Sequence, residues 1–541
     1  MIFGYKSLGQ KFFLVLVLFS AGIFPACQSV KPASEETDDI VIENAESLEI
    51  PPPNINLAKP LEISEKPEDV ALANNIDEII EKSDYSNARW GVFVVSLKDG
   101  RVVVARDARK LFNPASIQKT LTAIVALDKL GADYRWKTSI NAANAIENGV
   151  LNGDLTLYGR GAPDFGGDEL NDLVKQLKAK GLTQITGNIV GDESYFKGED
   201  IGDGWTWNDL QWHYGTEAGA LTFNENKAGV YMKDGVPVSS TDYLQIQNDL
   251  QPKKDGETKA FGIRRGLADN QIYIWGNDEK AYGKVAVHNT ALWAAKTLKE
   301  SLEQQGITVG GEAKSVDWKT PDRLNVENSV ELAFVESQPL SEIVKKMDKR
   351  SINVYAELLL RLLGKNFGDT APGDNRQLAE VRGDDLAGTE VIKKFLAENK
   401  VAADELQIHD GSGLSRLDFV SPEAFVRAFI YAAQSKFSDI FTNSLPIAAT
   451  DGTLGGRLGN VKGKIYAKTG TITFVNSLAG YAQAKDDEIY AFAIISNNIT
   501  RKSDATRTID AIATSLVKKD KDESDNKPIK AGNEKKANNQ N

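Results

Sequence analysis

The sequence predicts a mixed α/β fold in which one domain is assembled from both ends of the chain around a large β-rich insertion. Strand-like segments occur near both ends of the globular part, at residues 90–105 and 465–495. Helical spacing of apolar residues accompanies them, at residues 70–80 and 503–517. Between these ends, many Gly, Asp and Asn turns separate short strand-like segments through residue 285. We therefore expect one sheet with contributions from both termini.

The predicted elements follow from local patterns, taken in chain order. A helix with apolar residues three or four positions apart precedes two strands joined by a tight turn at Lys98-Asp99-Gly100. Alternation and turn residues indicate the later strands, and amphipathic spacing indicates the later helices. The predicted segments are helices at 70–80, 120–130, 170–180, 290–305, 354–363 and 503–517, and strands at 90–97, 101–105, 149–158, 187–192, 465–467, 477–484 and 489–495.

Composition excludes several classes of function. The chain has 541 residues, of which 41% are hydrophobic and 26% charged, as is typical of a water-soluble globular protein. Its 64 basic and 76 acidic residues give a net charge of -12, which repels polyanions, so no nucleic acid partner is expected. One cysteine and three histidines predict no metal site and no other cofactor, and they disfavour a Ser-His-Asp hydrolase.

The N-terminus is predicted to be a processing signal, covering residues 1–26. An apolar run at residues 12–24 follows two lysines and is too short for a typical membrane-spanning helix. Pro25 and Ala26 follow this run, and Cys27 comes next. The segment resembles the lipidation box of bacterial lipoproteins, although Phe24 stands where that box usually has leucine. A lipidated Cys27 followed by Gln28 implies an outer-membrane lipoprotein. The alternative is a chance cysteine in an ordinary signal peptide, which would give a soluble periplasmic protein.

Both ends of the mature chain are predicted to be disordered. Residues 27–68, counted from the lipidated cysteine, are rich in Glu, Asp, Ser, Asn and Pro and contain no aromatic residue. The tail at residues 518–541 is similarly polar. We interpret the first segment as a disordered tether and the second as a disordered tail, both solvated and without specific partners.

The first motif that carries chemistry places Ser116 three residues before Lys119. Pro114 precedes them at the start of the helix predicted for residues 120–130, so both side chains lie on one helical face. If burial and nearby cations lower the pKa of the lysine, its amine can take the proton of the serine hydroxyl and create a nucleophile. By itself this spacing is common in long chains, and a solvated helix face is then the better interpretation.

Two further motifs follow. Ser351 and Asn353 open the helix at 354–363, where they can point into a cleft or merely cap the helix. Lys468, Thr469, Gly470 and Thr471 lie in a predicted strand, and the glycine would let a ligand backbone approach the strand edge closely. A lysine at a sheet edge can also simply prevent aggregation.

Together the motifs occur in the order Ser-x-x-Lys, Ser-x-Asn, Lys-Thr-Gly, as in the penicillin-recognising serine enzymes. Their flanks resemble the D-alanyl-D-alanine carboxypeptidase/endopeptidase family, which forms the class C low-molecular-mass penicillin-binding proteins. The similarity extends over about residues 75–515. The segments that carry it are Asn113-Pro114-Ala115-Ser116, Gly204-Trp205-Thr206-Trp207-Asn208-Asp209, Asp410-Gly411-Ser412-Gly413-Leu414-Ser415-Arg416 and Asp451-Gly452-Thr453-Leu454.

The resemblance implies a penicillin-binding, serine β-lactamase-like domain, with an antiparallel sheet flanked by helices. In the family, the long interval between the two motif serines holds two inserted domains, one nested in the other. The implied boundaries are 69–136 and 319–517 for the peptidase domain, 137–223 and 285–318 for the inserted domain, and 224–284 for the nested domain.

The resemblance also implies a role for each motif residue. Ser116 would attack the D-alanyl-D-alanine carbonyl, Lys119 would act as its base, and Ser351 would pass the proton to the leaving amine. Asn353 would orient the substrate. Lys468 would meet its carboxylate or keep the site cationic, and Thr469 would hydrogen-bond the same carboxylate. Gly470 and Thr471 lie on the same strand, and the backbone N–H groups of Thr471 and Ser116 would form an oxyanion hole. Leu414 and Arg416 would line the cleft, and Asp209 would recognise a free amine on the stem peptide.

The resulting hypothesis is a serine DD-peptidase on the periplasmic side of the cell envelope, acting on peptidoglycan stem peptides and cross-links and inhibited by β-lactams. The lipid on Cys27 would hold it to a membrane. The alternatives are a β-lactamase or esterase on the same scaffold, disfavoured by the long insertion, and a non-catalytic wall-binding protein, disfavoured by the intact motifs. Trp205 and Trp207 fit either a cleft or the core of the insertion.

Overall fold

The structure is a computed structural model that describes residues 48–278, 282–368, 383–401, 406–485, 488–500 and 502–518. The predicted signal peptide, Cys27 and the tail beyond residue 518 lie outside these ranges. Within them, none of the helices combines the length and apolar character needed to cross a membrane.

Helices and strands alternate irregularly along the chain, and most of the strands in the described ranges lie before residue 337. The helices of the described ranges are α1 (Pro67–Glu81), α2 (Gln118–Leu130), α3 (Gly167–Ala179), α4 (Thr290–Gln304), α5 (Leu340–Arg350), α6 (Asn353–Phe367), α7 (Asp384–Glu398), α8 (Pro422–Gln434), α9 (Ser438–Ser444) and α10 (Lys502–Val517). The strands are β1 (Arg89–Ser96), β2 (Val102–Arg106), β3 (Lys137–Ala142), β4 (Val150–Leu151), β5 (Leu155–Tyr158), β6 (Gln184–Ile185), β7 (Ile189–Asp192), β8 (Lys227–Lys233), β9 (Val236–Ser239), β10 (Gln245–Leu250), β11 (Phe261–Arg265), β12 (Gln271–Gly276), β13 (Tyr282–Ala286), β14 (Thr308–Val309), β15 (Ala313–Val316), β16 (Val330–Glu336), β17 (Ile465–Ile472), β18 (Val475–Gln483) and β19 (Ile489–Asn497).

The main sheet joins both ends of the chain. Its strand order is β17-β18-β19-β1-β2, every neighbouring pair is antiparallel, and β1 from the N-terminal part pairs with β19 from the C-terminal part. Alternate residues of β1 enter different cores: Phe93 and Val95 pack with α8, whereas Val92 and Val94 pack with α1 and α10. Because helices cover both faces, the strand is apolar almost throughout. The predicted mixed α/β sheet with flanking helices is confirmed.

The insertion between the two halves of this sheet is largely β, as expected. A second five-stranded sheet has the order β15-β7-β5-β3-β16, and α4 packs against its strands β7 and β15. Strand β16 pairs with β3 although it lies beyond residue 318, so this sheet continues into the range expected for the peptidase domain. Strands β8 to β13 form two three-stranded sheets, β10-β12-β11 and β13-β8-β9. The division into nested domains stays a prediction.

The prediction of a disordered tether up to residue 68 is wrong for residues 48–68. Leu48, Ile50 and Ile55 are buried in the core of the peptidase part, and residues 67 and 68 already belong to α1. Gln434 of α8 donates hydrogen bonds to the carbonyls of Pro53 and Ile55, at 2.8 Å each. The segment is ordered because its few apolar side chains are buried and α8 satisfies its backbone carbonyls.

Candidate active site

Ser116 lies in a short 3₁₀ turn, Ala115–Ile117, that leads into α2. The main sheet fixes the chain before it. Asn497 of β19 exchanges two hydrogen bonds with the backbone of Asn113, at 2.9 and 3.0 Å, and Ser477 of β18 donates to the Pro114 carbonyl at 2.6 Å. The turn is therefore held from the sheet side. Ser116 itself remains partly accessible at the start of the helix.

Lys119 is completely buried on the first turn of α2, and three acceptors surround its amine. Nζ lies 2.9 Å from Ser116 Oγ, 2.5 Å from Asn353 Oδ1 and 2.8 Å from the carbonyl oxygen of Ser412. The serine and lysine predicted from their spacing thus form a hydrogen-bonded pair. The solvated helix face that the spacing also allowed is excluded.

Burial, and after it the positive charge of nearby Lys468, lower the pKa of Lys119 from 10.5 to about 7, against the opposing effect of Asp410, Glu357 and Asp348. This difference corresponds to about 5 kcal/mol in favour of the neutral amine relative to an exposed lysine. A neutral amine has the free lone pair that proton abstraction requires. Lys119 can therefore act as a base near neutral pH.

Ser351 and Lys468 form a second hydroxyl–amine pair. Ser351 ends α5 in the left-handed conformation, with φ of 58°, and α6 begins two residues later. Lys468 Nζ donates to Ser351 Oγ at 2.8 Å and to the Thr469 carbonyl at 2.9 Å, and the lysine side chain is fully buried. The two pairs bring the helical motifs and the strand motif of the sequence into one site.

Strand β17 passes directly beside the turn of Ser116, and Gly470 makes this approach possible. A Cβ atom at Gly470 would lie 2.1 Å from Ser477 Oγ and 3.0 Å from the Ser116 amide nitrogen. Any side chain would therefore separate the strand from the turn. Thr469 Oγ1 shares a hydrogen bond of 2.7 Å with Thr453 Oγ1, and Thr471 lies exposed at the end of the motif.

Asn353, the first residue of α6, connects Lys119 to the inserted part of the chain. Its Oδ1 accepts from Lys119, and its Nδ2 donates to the carbonyl of Tyr214 at 2.7 Å. The segment 204–215 of the insertion therefore reaches the site. Asn353 does more than cap a helix, because both its amide oxygen and its amide nitrogen form hydrogen bonds within the site.

Two segments that contact the site, 204–215 and 410–416, form what we call its rim. Three residues implied by the family resemblance lie on this rim, namely Asp209, Leu414 and Arg416. Asp209 is buried, and its Oδ2 accepts from the backbone N–H and the hydroxyl of Thr206, at 3.1 and 2.6 Å, which closes a turn rather than capping a helix. Arg416 donates to the Thr473 carbonyl at 2.9 Å, beyond the end of β17. Leu414 is buried in the same loop as Ser412. Trp207 is 60% exposed, so a role in the core of the insertion is excluded for it.

Sequence reasoning missed several buried ionisable groups behind the site. Asp348 lies one turn before Ser351, and burial raises its pKa to about 6 although Lys468 opposes this. Lys349 forms a buried ion pair with Asp451, with Nζ 2.6 Å from Oδ2. Glu357 lies one helical turn after Asn353, and burial together with Asp410 raises its pKa to about 7. Its spacing of four residues from Asn353 was the one available signal.

The arrangement supports nucleophilic catalysis by a serine. The hydroxyl of Ser116 is partly accessible and contacts the amine of Lys119. The hydroxyl of Ser351 accepts a hydrogen bond from the buried Lys468, and strand β17 lies beside Ser116. Across the described ranges, no group of three or more His, Cys, Asp or Glu side chains is placed to hold a metal ion.

Comparison with known proteins places the chain in one family. The model of the D-Ala-D-Ala carboxypeptidase 3 (S13) family matches residues 72–519. The chain is 28% identical over 455 residues to the D-alanyl-D-alanine carboxypeptidase of Actinomadura sp. (strain R39), covering 79% of this chain and 81% of the relative. It is 27% identical over 437 residues to the D-alanyl-D-alanine carboxypeptidase DacB of Haemophilus influenzae, covering 77% and 87%.

Solved structures agree with this fold. The crystal structure of penicillin binding protein 4 (dacB) from Haemophilus influenzae superposes with a TM-score of 0.71 at 24% identity, covering 82% of this chain and 99% of that one. The same protein complexed with a novel β-lactam gives a TM-score of 0.65 at 22% identity, with coverage of 82% and 98%. The resemblance predicted from the three motifs is confirmed.

The lowered pKa of Lys119 predicts how acylation of Ser116 depends on pH. Below a pH of about 7 only the shrinking neutral fraction of Lys119 can act, so the second-order rate constant for penicillin acylation should fall roughly tenfold per pH unit. Above that pH the rate should level off. Stopped-flow measurement with a fluorescent penicillin between pH 5 and 9 would test this, and a flat profile would contradict the assignment of Lys119 as the base.

Proposed function

Because the chain belongs to the D-Ala-D-Ala carboxypeptidase 3 (S13) family, it is a serine-type D-Ala-D-Ala carboxypeptidase, and we propose that it works through an acyl-enzyme on Ser116. The substrates are peptidoglycan stem peptides, and the proposal includes the D-alanyl bonds of their cross-links. The observation that carries it is the contact of 2.9 Å between Ser116 Oγ and the buried amine of Lys119.

In the acylation step, Lys119 takes the hydroxyl proton while Ser116 Oγ forms a bond to the carbonyl carbon of the penultimate D-alanine. The negative charge that develops on the carbonyl oxygen is stabilised by the backbone N–H groups of Ser116 and Thr471. Removal of one such donor typically costs about 10² to 10³ in rate. The close approach of β17 to the Ser116 turn supports this pairing of donors.

In the next step, the carbon–nitrogen bond breaks and the leaving D-alanine nitrogen needs a proton. Ser351 supplies it, and the proton is replaced from the protonated Lys119. Hydrolysis then follows the reverse proton path, with water in place of the amine. Lys468 is completely buried and donates to Ser351, which supports a role in holding that hydroxyl and keeping the site cationic. Thr469 hydrogen-bonds the substrate carboxylate.

Specific observations disfavour the alternative functions. A purely wall-binding protein has no use for a buried lysine that contacts a serine hydroxyl and has a pKa lowered to about 7. A simple β-lactamase or esterase does not need the segment 204–215, which contacts Asn353 at the centre of the site.

Substitution of Ser116 tests the nucleophile. Ser116→Ala should abolish both covalent labelling by a fluorescent penicillin and release of D-alanine from a D-alanyl-D-alanine peptide. Lys119→Ala should lower the acylation rate about 10²- to 10⁴-fold, as expected for loss of a general base. Lys129→Ala, at an exposed position of the same helix, should react like the wild type. Covalent labelling that persists in Ser116→Ala would refute the assignment.

The proposed specificity residue is Asp209, which lies on the rim segment that contacts Asn353. Its carboxylate can pair with the distal ammonium group of a diaminopimelate or lysine side chain. Asp209→Asn should lower kcat/KM for amine-bearing stem peptides by roughly 5- to 150-fold, as expected for one charged hydrogen bond, and should leave penicillin acylation unchanged.

The hydrogen bonds of Asp209 to Thr206 show which control this experiment needs. The carboxylate also closes the turn at Thr206, so a purely structural role would reduce both rates together. Asp203→Asn removes the same charge six residues earlier, from an exposed carboxylate that pairs with His409, and should leave both rates near the wild-type values. An equal loss of peptide turnover and penicillin acylation in Asp209→Asn would rule out recognition.

We also propose that the mature protein begins at a lipidated Cys27 and resides on the periplasmic side of the envelope, in the outer membrane. The sequence around this cysteine supports the proposal. Cys27→Ala should move the protein from the membrane fraction to the soluble periplasmic fraction, because the lipid is its expected anchor. Mass spectrometry of the N-terminus gives the direct test, and an unmodified cysteine or a different first residue would refute it.

A further inference from the structure

The catalytic amine has to be oriented as well as neutral. A neutral lysine amine carries two hydrogens and one lone pair, and the lone pair must face Ser116 Oγ for proton transfer. The two hydrogens therefore need acceptors elsewhere. Asn353 Oδ1 at 2.5 Å and the Ser412 carbonyl at 2.8 Å are the two acceptors in contact with Nζ besides the serine. The direction of the lone pair thus depends on how firmly these two oxygens are held.

The Ser412 carbonyl is held by Asp410. The N–H of the same peptide unit, which belongs to Gly413, donates to Asp410 Oδ1 at 2.6 Å. Because the C=O and N–H of a trans peptide point in opposite directions, this bond turns the carbonyl toward Lys119. Asp410 Oδ2 also accepts from the Ser415 N–H at 2.8 Å and from the Ser412 hydroxyl at 3.0 Å.

The remaining bonds of the loop make this orientation rigid. Glu357 Oε1 accepts from the backbone N–H groups of Gly411 and Ser412, at 3.0 Å each. Gly413 has φ of +78°, and a Cβ there would lie 2.0 Å from the Ala115 carbonyl, so the loop packs directly on the Ser116 turn. Asp410, Glu357 and Ser412 are all completely buried. A loop with this many fixed N–H groups cannot rotate one peptide independently.

The inserted part of the chain holds both acceptors. The Trp205 indole N–H donates to Asp410 Oδ2 at 2.8 Å, and the Tyr214 carbonyl accepts from Asn353 Nδ2 at 2.7 Å. The second bond decides which end of the Asn353 amide faces Lys119, because only its oxygen can accept. The short segment 204–215 therefore contacts both Asp410, which holds the Ser412 carbonyl, and Asn353, which accepts from Lys119 directly.

We propose that Asp410 is a positioning residue for the acylation reaction, and that Trp205 extends this function to the insertion by holding Asp410. Through the Ser412 peptide they aim the lone pair of Lys119 at Ser116. This inference rests on the proposed role of Lys119 as the base. It gives the insertion a part in the chemical step in addition to any contact with substrate.

The test compares two tryptophans that each donate one indole hydrogen bond. Trp205→Phe removes the bond to Asp410, whereas Trp318→Phe removes a bond of 2.9 Å to the Gly198 carbonyl and leaves the bond to Asp410 in place. The second-order rate constant for penicillin acylation is measured for both across pH 5 to 9, with thermal unfolding recorded for each. The plateau rate should fall about tenfold in Trp205→Phe and stay at the wild-type value in Trp318→Phe. An equal decrease in both variants would refute the proposal.

Asp410→Asn provides a readout that general loosening would not change. The titratable and charged groups that act on Lys119 are Lys468, Asp410, Glu357 and Asp348, and the Asp410 carboxylate favours the protonated lysine. Asp418 faces Asp410 through a side-chain hydrogen bond, and burial raises its pKa. Its replacement should lower the plateau rate about 100-fold and move the midpoint of the pH profile to a lower pH than in the wild type. A reduced plateau with an unchanged midpoint would indicate a structural role only and refute the proposal.

The double variant completes the experiment and separates the two hypotheses. Because Trp205 acts through Asp410, Trp205→Phe combined with Asp410→Asn should be no slower than Asp410→Asn alone, whereas multiplied losses would refute their coupling. If Asp410→Asn fails to fold, the comparison of Trp205→Phe with Trp318→Phe decides. Wild-type acylation that persists in Lys119→Ala would overturn the proposed function itself. Normal dependence on Lys119 with no effect of Trp205→Phe would overturn only the positioning role.

Discussion

Two buried lysines in one small site form the constraint on which the rest of this structure depends. Lys119 and Lys468 are both inaccessible to solvent, and burial and the positive charge of Lys468 both lower the pKa of Lys119. Two ammonium groups buried in one site would be very costly, and this cost favours the neutral form of Lys119. The surrounding carboxylates, Asp348, Glu357 and Asp410, favour the charged form of Lys119. Burial and Lys468 outweigh the effect of these carboxylates, and the resulting pKa of Lys119 is about 7. A lysine with this pKa can act as a base near neutral pH.

The fold satisfies this constraint by bringing together parts of the chain that are far apart in sequence. The main sheet supplies Lys468 on β17 and holds the turn of Ser116 through β18 and β19. Two helices that meet at Ser351 supply the second hydroxyl and Asn353. Because the sheet itself joins the two ends of the chain, the geometry of the site is complete only when long-range strand pairing is complete.

The sequence was sufficient for the fold class and the motif residues for a definite physical reason. Serine, lysine and glycine at fixed spacings in helix and strand contexts have few interpretations once three such motifs occur in order. It was not sufficient for Asp348 or Glu357. The four-residue spacing of Glu357 from Asn353 indicates a shared helix face, but it does not indicate that the carboxylate is buried. The order of residues 48–66 was missed because Leu48, Ile50 and Ile55 are isolated among polar residues, and the groups that hold their backbone come from α8. Such partners are invisible to local patterns.

Burial of Lys119 explains why the site needs so many supporting residues. The same desolvation that makes the amine neutral also makes every unsatisfied N–H and carbonyl costly, by about 1 to 3 kcal/mol each. Hydrogens on Nζ must therefore have acceptors, the acceptors must have fixed positions, and the groups that fix them are in turn buried. The chain of contacts from Lys119 to Ser412, Asp410 and Trp205 is the result. This chain of contacts ends in the insertion at Trp205. Because the Trp205 side chain is partly exposed, no further buried partner is needed there.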